Sequence, residues 1–446
     1  MSNASDSVSS RRDFLKASSS AVVGGALVSK LGFPAVVSAA PNSDKLRIGL
    51  IGCGGRGNGA AANALNSDSN SVLHAMGDIY ATAIQRGLGG IKGEIKDDSR
   101  IAVPPERQFV GLDSFEKVLK SGVDVVILTT PPGFRPLHFK RAIEAGKHVF
   151  LEKPVATDAS GVRSVRETAK VAQQKGLAVQ SGFVWRANVA RREFFKRIHA
   201  GAIGEVRAVY ATYLTGPVKQ MPSKESRPAG MSDTEWQIKN WYNFTWLSGD
   251  GLVEQAVHSV DKIAWAMKDA PPLKCTAVGG RQIGNNEGNI WDHIEVNYEW
   301  ANGARAFMAQ RQITGCHSET RDTIMGERGM GLLGHRGGTE ITGPDAWRFK
   351  GDLNENQMLG KAYEIEHVEM FESIRNGKPL NDGEHMCNST LLAIMGRMAG
   401  YTGQEVTWEH MLTSQEKLCP VDLDKLDWSA PLPFSPIALP GRTKVV

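Results

Sequence analysis

From Lys45 to about Val184, short apolar runs alternate with stretches of helical periodicity. Strands that alternate with helices predict a parallel sheet covered on both faces, so we expect an α/β, doubly wound domain. The run VDVVILTT is almost continuously apolar, which is typical of a central strand buried on both sides. The predicted strands are Arg47–Ile51, Val72–Met76, Val123–Thr129, His148–Leu151 and Leu177–Ser181, and the predicted helices include Ser114–Lys120, Pro136–Ala145 and Ala159–Lys175.

After Arg186 the apolar positions recur with a period of two, which indicates a half-exposed, largely antiparallel open sheet in an α+β domain. Glycine and asparagine turns separate the predicted strands. We therefore expect a leader over 1–40, a Rossmann domain over 41–185, and a C-terminal substrate and oligomerisation domain over 186–446. The predicted strands here are Val206–Leu214, Lys274–Arg281, Asp292–Trp300 and Arg305–Gln312, and the predicted helices are Arg191–Ala200, Glu364–Asn376 and Thr390–Gly400.

The first predicted strand runs into a G-x-G-x-x-G motif formed by Gly52, Gly54 and Gly57. Such glycines permit a tight turn, close approach of a pyrophosphate, and close packing of helix on strand. The helix that follows offers free N–H groups and a positive dipole end to phosphates. Asp78 ends the second apolar run, where a carboxylate binds ribose hydroxyls and repels a 2′-phosphate. The motif predicts bound NAD, with NADP left open because Arg56 or Arg86 could meet a 2′-phosphate.

Two further segments carry candidate chemistry. Lys153, in LEKP, follows a predicted strand at the sheet edge where ligands bind, and a cationic nicotinamide beside it favours proton transfer. Glu254, His258 and Asp261 are spaced to share one face of a predicted helix, where they would bind a polyol and move a proton. The latter spacing also fits an ordinary polar helix face with an ion pair.

The aromatic segment WQIKNWYNFTW offers flat rings with polar tips, which suit the apolar faces of sugars. Tyr242 and Trp246 are the candidate rings, and Asn240 is a candidate hydrogen-bonding partner of hydroxyls. An aromatic core segment explains the same pattern equally well.

Composition narrows the class of function. The 446 residues carry a net charge of +4 and no basic patch with interleaved aromatics, so nucleic acid is not an expected partner. Five scattered cysteines without C-x-x-C predict neither a zinc site nor a disulfide framework, and we assign no metal ligand. The segment SRRDFLK precedes an apolar stretch over 21–37, which is typical of a twin-arginine signal. It predicts a periplasmic or exported protein, with no other membrane association; a disordered basic N-terminus is the alternative.

These residues together resemble the Gfo/Idh/MocA oxidoreductases, which include glucose–fructose oxidoreductase and inositol dehydrogenase, and specifically an exported subgroup. The resemblance rests on IGLIGCGGRG, TTPP, LEKP, HAGAIGEV and EQAVHSVD. It implies that Lys153 hydrogen-bonds the reacting hydroxyl, that His258 is catalytic, and that Arg186 contacts cofactor or substrate. It also implies a homo-oligomer. Glu254 departs from the aspartate of many members. The implied cofactor contacts are Gly52, Gly54, Gly55, Arg56, Gly57, Asp78, Thr130, Pro131, Glu152 and Lys153.

The function predicted from these features is reversible NAD(P)-dependent hydride transfer at a hydroxyl or keto group of a small sugar or polyol. One alternative is an NAD-dependent glycoside hydrolase that oxidises its sugar transiently and eliminates the aglycone. A third interpretation, a dinucleotide-binding sensor without catalysis, fits poorly with the retained lysine and histidine.

Overall fold

A computed structural model describes residues 45–284, 286–334, 338–351 and 353–446, so the predicted signal segment lies outside the described residues. Six parallel strands form the first sheet, in the order β3-β2-β1-β4-β5-β6 when they are numbered along the chain. The order reverses between β1 and β4, and this switch point is where doubly wound sheets bind ligands. The strands are β1 (Leu46–Ile51), β2 (Ser71–Asp78), β3 (Gln108–Val110), β4 (Val125–Leu128), β5 (His148–Leu151) and β6 (Val179–Ser181).

Helices cover both faces of this sheet, and the predicted doubly wound fold is confirmed. Every residue of β4 is buried, as the continuous apolar run predicted. Cα pairing of Ile48 with Val125 joins β1 to β4 at the centre of the sheet. The helices of this half are α1 (Gly55–Ser67), α2 (Ala81–Glu94), α3 (Ser114–Lys120), α4 (Arg135–Glu144) and α5 (Ala159–Gln174).

The second sheet has nine strands in the order β14-β13-β12-β11-β7-β10-β9-β8-β15. Only the β7–β10 pair is parallel among its described ladders, so the predicted largely antiparallel sheet is confirmed. Burial alternates along the strands because helices cover one face only. The strands are β7 (Val206–Thr215), β8 (Lys274–Gly280), β9 (His293–Glu299), β10 (Arg305–Gln312), β11 (Glu319–Gly326), β12 (Met330–Gly334), β13 (Thr339–Thr342), β14 (Trp347–Arg348) and β15 (Val406–Thr407).

The remaining helices follow β6 in the chain, and the last long ones pack against both halves. The described helices are α6 (Val189–His199), α7 (Asp233–Lys239), α8 (Thr245–Ser248), α9 (Gly251–Glu254), α10 (Val257–Ala266), α11 (Glu355–Arg375), α12 (Gly383–Thr402) and α13 (Trp408–Thr413). Helix α11 packs on α1, and α12 packs on both α5 and β8. The segment after β14 therefore returns to the Rossmann half. The predicted domain boundary between residues 185 and 186 stays a prediction.

One helix predicted as continuous is divided into two helices in the structure. Glu254 ends α9, and His258 belongs to α10, which begins at Val257. A turn at Gln255 and Ala256 separates the two helices. Glu254, His258 and Asp261 therefore do not lie on one continuous helix as the spacing predicted.

No described helix has both the length and the apolarity needed to cross a membrane.

Candidate functional site

The glycine loop has the geometry that a dinucleotide requires. Gly52 has a φ of +94°, and a Cβ there would lie 2.9 Å from the carbonyl carbon of Thr129. A Cβ on Gly57 would lie 2.1 Å from the Gly52 oxygen. A Cβ on Gly54 would meet no atom within 4 Å, because Gly54 lines a cavity of about 270 Å³. The loop thus leaves open space where a pyrophosphate would lie.

Helix α1 begins at Gly55 directly beside this space. No side chain caps its amino end, and its first turn carries no acidic residue. Its first N–H groups therefore remain available to phosphate oxygens, together with the positive end of the helix dipole. Gly55 and Gly57 themselves do not line the cavity. They shape the loop that supports it.

Asp78 is held at the carboxyl end of β2 by two backbone donors. Its Oδ2 accepts from the N–H of Cys53 at 2.7 Å, and its Oδ1 accepts from the N–H of Tyr80 at 2.9 Å. The carboxylate is therefore fixed to the glycine loop, in the position expected for a ribose ligand. Thr130 and Pro131 line the same cavity.

A second cavity, of about 960 Å³, lies next to the first, and both are lined by Thr129 and Trp241. Lys153 projects here with only 10% of its side chain exposed. Its Nζ donates to the backbone oxygen of Glu254 at 2.6 Å and to Oε1 of the same residue at 3.2 Å. The longer glutamate therefore reaches the lysine directly.

Arg56 and Glu152 join the glycine loop to the lysine strand. The Arg56 guanidinium pairs with the Glu152 carboxylate and lies 4.4 Å from the ring centroid of Tyr363. Burial opposes ionisation of Glu152, yet the charges of Arg56 and Lys153 outweigh it and lower the pKa of that carboxyl. Oε2 of Glu152 accepts from the N–H of Lys153 at 3.1 Å. Arg56 and Glu152 line the larger cavity and not the dinucleotide cavity.

His258 lines the larger cavity together with Lys153 and Glu254. Burial lowers its pKa well below the usual value, and the positive charges of Lys153 and Lys262 lower it further. The ring is therefore a neutral imidazole. Within the described part of the chain its buried Nδ1 has no hydrogen-bond partner. A buried imidazole nitrogen aimed at no protein group is a natural acceptor for a ligand proton.

Asp261 and Arg186 were predicted to lie at the site. In the structure they pair with each other outside the lining of the larger cavity. The Arg186 guanidinium donates to Asp261 at 2.9 Å and to Asp269 at 2.6 Å, and Ser389 also donates to Asp261 at 2.7 Å. Neither Asp261 nor Arg186 lines the cavity. Their predicted roles at the site therefore have no support from the geometry, because these ion pairs engage both side chains outside the cavity lining. Arg186 and Asp261 form an internal ion-pair network.

The three predicted sugar contacts in the aromatic segment, Asn240, Tyr242 and Trp246, line neither cavity. Tyr242 is 1% exposed and Trp246 is 2% exposed, and each hydrogen-bonds a buried glutamine. Asn240 donates to the backbone oxygen of Trp236 at 3.1 Å. Within the segment it is Trp241 that lines both cavities. The aromatic run is mostly core.

Sequence reasoning missed several cavity residues. Tyr213 donates to Oε1 of Gln255 at 3.0 Å, and both side chains line the larger cavity. The period-two pattern of β7 could have placed Tyr213 on the covered face, whereas nothing local marks Gln255. The other missed lining residues include Arg135, Trp185, Thr320 and Tyr363.

Among the described residues, no three His, Cys, Asp or Glu side chains are grouped so that they could hold a metal ion.

A switch-point crevice with a phosphate loop, followed by a cavity that holds a lysine and a neutral histidine, defines a dinucleotide-dependent oxidoreductase fold. Residues 46–183 match the model of an oxidoreductase family with an NAD-binding Rossmann fold, and residues 192–331 match the GFO/IDH/MocA C-terminal domain. The chain belongs to the Gfo/Idh/MocA oxidoreductase family, which confirms the resemblance, and its cofactor domain is an NAD-binding Rossmann domain.

Similar proteins include inositol dehydrogenases. Inositol 2-dehydrogenase 4 of Saccharopolyspora erythraea is 32% identical over 160 residues, 36% of this chain and 43% of that relative. Inositol 2-dehydrogenase 3 of the same organism is 22% identical over 332 residues, 74% of this chain and 86% of that relative. The solved WlbA dehydrogenase from Bordetella pertussis, in complex with NADH and UDP-GlcNAcA, has a TM-score of 0.61 at 21% identity, covering 82% of this chain and 99% of its own. That likeness supports the fold.

Proposed function

We propose that the protein is an NAD-dependent dehydrogenase that oxidises a secondary hydroxyl of a polyol or sugar. The observation that carries this proposal is the placement of Lys153 and His258 in one cavity that adjoins the dinucleotide cavity at Thr129. NAD, when bound, accepts the hydride from the substrate carbon. Gly54, Asp78 and the amino end of α1 would hold its phosphates and ribose.

His258 accepts the hydroxyl proton in this proposal. Its imidazole is neutral because burial and nearby cations disfavour the charged ring, so it is in the accepting form before substrate arrives. Lys153 donates a hydrogen bond to the substrate oxygen and stabilises the negative charge that develops there. Glu254 orients Lys153, since it holds the ammonium through both its carboxylate and its backbone oxygen.

The relatives suggest the first substrates to test. Inositol 2-dehydrogenases are named for oxidation of a cyclic polyol, and the cavity here mixes charged groups with aromatic walls, as sugar-binding sites do. We therefore infer that inositols and related cyclic polyols are the first class to examine, with aldoses and ketoses as the second.

The test is NADH formation by wild type and by Lys153→Met on a panel of inositols and sugars. We expect the variant to lose about 10²–10⁴-fold in kcat while its affinity for NAD changes little. Lys170→Met, on the exposed surface of α5, is the matched control and should behave as wild type. Equal turnover by Lys153→Met and wild type would remove the lysine from the mechanism. Release of free sugar from a glycoside without NADH would instead indicate the redox-neutral hydrolase.

We propose further that the chain is exported by the twin-arginine route. The support is the SRRDFLK segment and the apolar stretch after it. Replacing Arg11 and Arg12 by lysine should retain the protein in the cytoplasm when cell fractions are compared by immunoblot. A periplasmic location for the double variant would contradict the proposal.

We also propose a homo-oligomer built on the open face of the second sheet. Tyr210 is 43% exposed there, and it pairs with Phe307 of the neighbouring strand on the same face. A sheet face with exposed aromatic side chains is a common protein-binding surface. Tyr210→Glu should shift the sedimentation of the protein toward the monomer, whereas Val110→Glu, on β3 of the other sheet, should not. A monomeric wild type would overturn the proposal.

A further inference from the structure

The turn before α9 holds a residue in a backbone conformation that side chains seldom adopt. Asp250 has a φ of +88° and a ψ of 164°, a combination that is essentially confined to glycine because a Cβ crowds the backbone there. Its neighbours Gly249 and Gly251 are glycines, yet the strained position itself carries an aspartate. A strained residue persists only where the surrounding structure holds it, and such residues cluster at functional sites.

The Asp250 carboxylate is buried and accepts hydrogen bonds on both oxygens. Only 1% of the residue is exposed. Its Oδ2 accepts from the N–H of Trp291 at 2.8 Å and from the hydroxyl of Tyr401, near the end of α12. Its Oδ1 accepts from the N–H of Leu252, in α9, at 3.4 Å. Because the rings of Trp291 and Tyr401 also pack at 4.7 Å between centroids, both donors belong to one packed wall.

The backbone of Asp250 in turn holds Glu254. The Asp250 carbonyl oxygen accepts from the N–H of Glu254 at 2.9 Å. The carbonyl oxygen of Glu254 accepts from Lys153 Nζ at 2.6 Å, which is the shorter of the two bonds between these residues. A carbonyl oxygen lies in a planar peptide and cannot be redirected by a side-chain rotation. The position of the ammonium therefore depends on how the turn at Asp250 directs α9.

Close packing surrounds this short helix. A Cβ on Gly251 would lie 2.7 Å from Nε2 of Gln310, on β10, and a Cβ on Gly249 would lie 2.7 Å from Cγ1 of Val253. Helix α9 also packs against α12, which carries the Tyr401 hydroxyl. The helix is therefore held between β10 and α12, and the Asp250 carboxylate bonds its amino end to the α12 side.

We propose that Asp250 is a positioning residue for Lys153. Its carboxylate holds the strained turn against Tyr401 and Trp291, and from this turn α9 directs the carbonyl oxygen of Glu254 to the ammonium. The inference rests on the proposed function, in which Lys153 stabilises the charge that develops on the substrate oxygen. It adds that turnover depends on a buried carboxylate that lines neither cavity.

The test is one substitution made in two backgrounds. Asp250→Gly leaves the backbone conformation accessible and removes the carboxylate, so the turn is no longer held in one position. We expect kcat for polyol oxidation to fall by about 10-fold to 10²-fold, while KM and the affinity for NAD change little, because a misplaced catalytic group impairs the transition state. In the Lys153→Met background the same substitution should cause no further loss, because it acts through the lysine.

Tyr401→Phe is the second variant, and it serves as the test if Asp250→Gly does not fold. It keeps the ring against Trp291 and removes one of the donors to the carboxylate. We expect kcat to fall about threefold, the size of one hydrogen bond. This loss should also disappear in the Lys153→Met background. Thermal unfolding without cofactor checks that each variant folds.

Tyr298→Phe is the matched control. Tyr298 is also buried, and its hydroxyl donates to α12 at the carbonyl oxygen of Leu392, at 3.0 Å, and not to the turn. It should keep the wild-type kcat. Wild-type kcat in the folded Asp250 and Tyr401 variants, or the same fold-loss with and without Lys153, would overturn the inference and leave the proposed function standing. Wild-type turnover by Lys153→Met would overturn both.

Discussion

At the scale of single residues, charge pairing decides which polar side chains are free for chemistry. Arg186 and Asp261 look available in the sequence, but each is fully engaged within the fold. Asp261 is 1% exposed and accepts from Arg186 and Ser389. Burial opposes the charge of Arg186, yet its two carboxylate partners raise the pKa of its guanidinium. These residues stabilise the packing of α10 beneath the site.

Because Arg186 belongs to an internal ion-pair network, we predict that its replacement lowers the stability of the fold and not the affinity for substrate. Arg186→Met removes the guanidinium and leaves a buried carboxylate without its cation, which costs on the order of 3 kcal/mol of the free energy of unfolding. The substrate KM of the folded fraction should stay within about twofold. Urea denaturation and steady-state kinetics together check this. A large rise in KM with unchanged stability would return Arg186 to the substrate site.

The lowered pKa of His258 predicts the pH range in which activity falls on the acid side. A general base works only when deprotonated, and burial with nearby cations lowers the pKa of this imidazole well below 6.5. The acid limb of kcat/KM for polyol oxidation should therefore lie well below pH 6.5, and activity should not fall as pH decreases from 7.5 to 6.5. Profiles measured with saturating NAD test this. A limb at an ordinary histidine pKa would show that another group titrates or that the ring is solvated.

At the scale of elements, five of the six described strands of the parallel sheet followed from the sequence, because short apolar runs alternate with helical stretches there. The sixth strand, β3 (Gln108–Val110), was not predicted, since it is short and only partly buried at the edge of the sheet. The strands β11 to β13 were not predicted. β12 reads MGLLG and β11 begins with ETRD, so neither shows a local strand signal, and both are held by pairing with distant partners. The aromatic segment was ambiguous for the same reason, since its burial depends on the tail around Leu432.

The glycine loop offers a matched pair of substitutions. Gly57→Ala places a Cβ 2.1 Å from the Gly52 oxygen, which forces α1 away from β1. We expect a loss of about 1–3 kcal/mol in unfolding free energy, because overpacking displaces backbone. Gly55→Ala, two residues earlier, meets no atom within 4 Å and should leave stability unchanged or slightly raised. Denaturant titration of both variants without cofactor makes the comparison. Equal stability would mean that the close approach at Gly57 is not required.

At the scale of the whole molecule, the two sheets are tied together by the segment that follows the second sheet. Asp382, just before α12, accepts from the N–H and the hydroxyl of Ser181 at the end of β6. Helix α11 covers α1, which carries the phosphate loop. Short motifs led to Gly54, Asp78, Lys153 and His258, which the structure places around the two cavities. The rest of the cavity lining was not predictable, because it comes from segments far apart in the chain.

This packing buries several histidines away from water, and acid stability follows from them. Burial lowers the pKa of both His138 and His367 to about 3, with the positive charges of Arg135 and Arg56 lowering them further. Because the folded pKa lies below the unfolded value near 6.5, the unfolded state binds more protons below pH 6.5. The contribution of these two neutral rings to the free energy of unfolding is therefore complete above pH 6.5. It is lost as the pH falls toward 3, by up to about 1.4 kcal/mol per pH unit for each ring.

His367 isolates this effect, because its ring stacks on Phe150 at 4.3 Å and neither ring nitrogen has a hydrogen-bond partner among the described residues. His367→Phe keeps the stacking and removes the titration. The unfolding free energy of the variant, measured in urea between pH 7.5 and 4.5, should fall less steeply than that of wild type by about one proton's slope. His317→Gln, at an exposed position, should retain the wild-type slope. Identical slopes for His367→Phe and wild type would mean that this imidazole is protonated inside the fold, in contact with solvent or an acid.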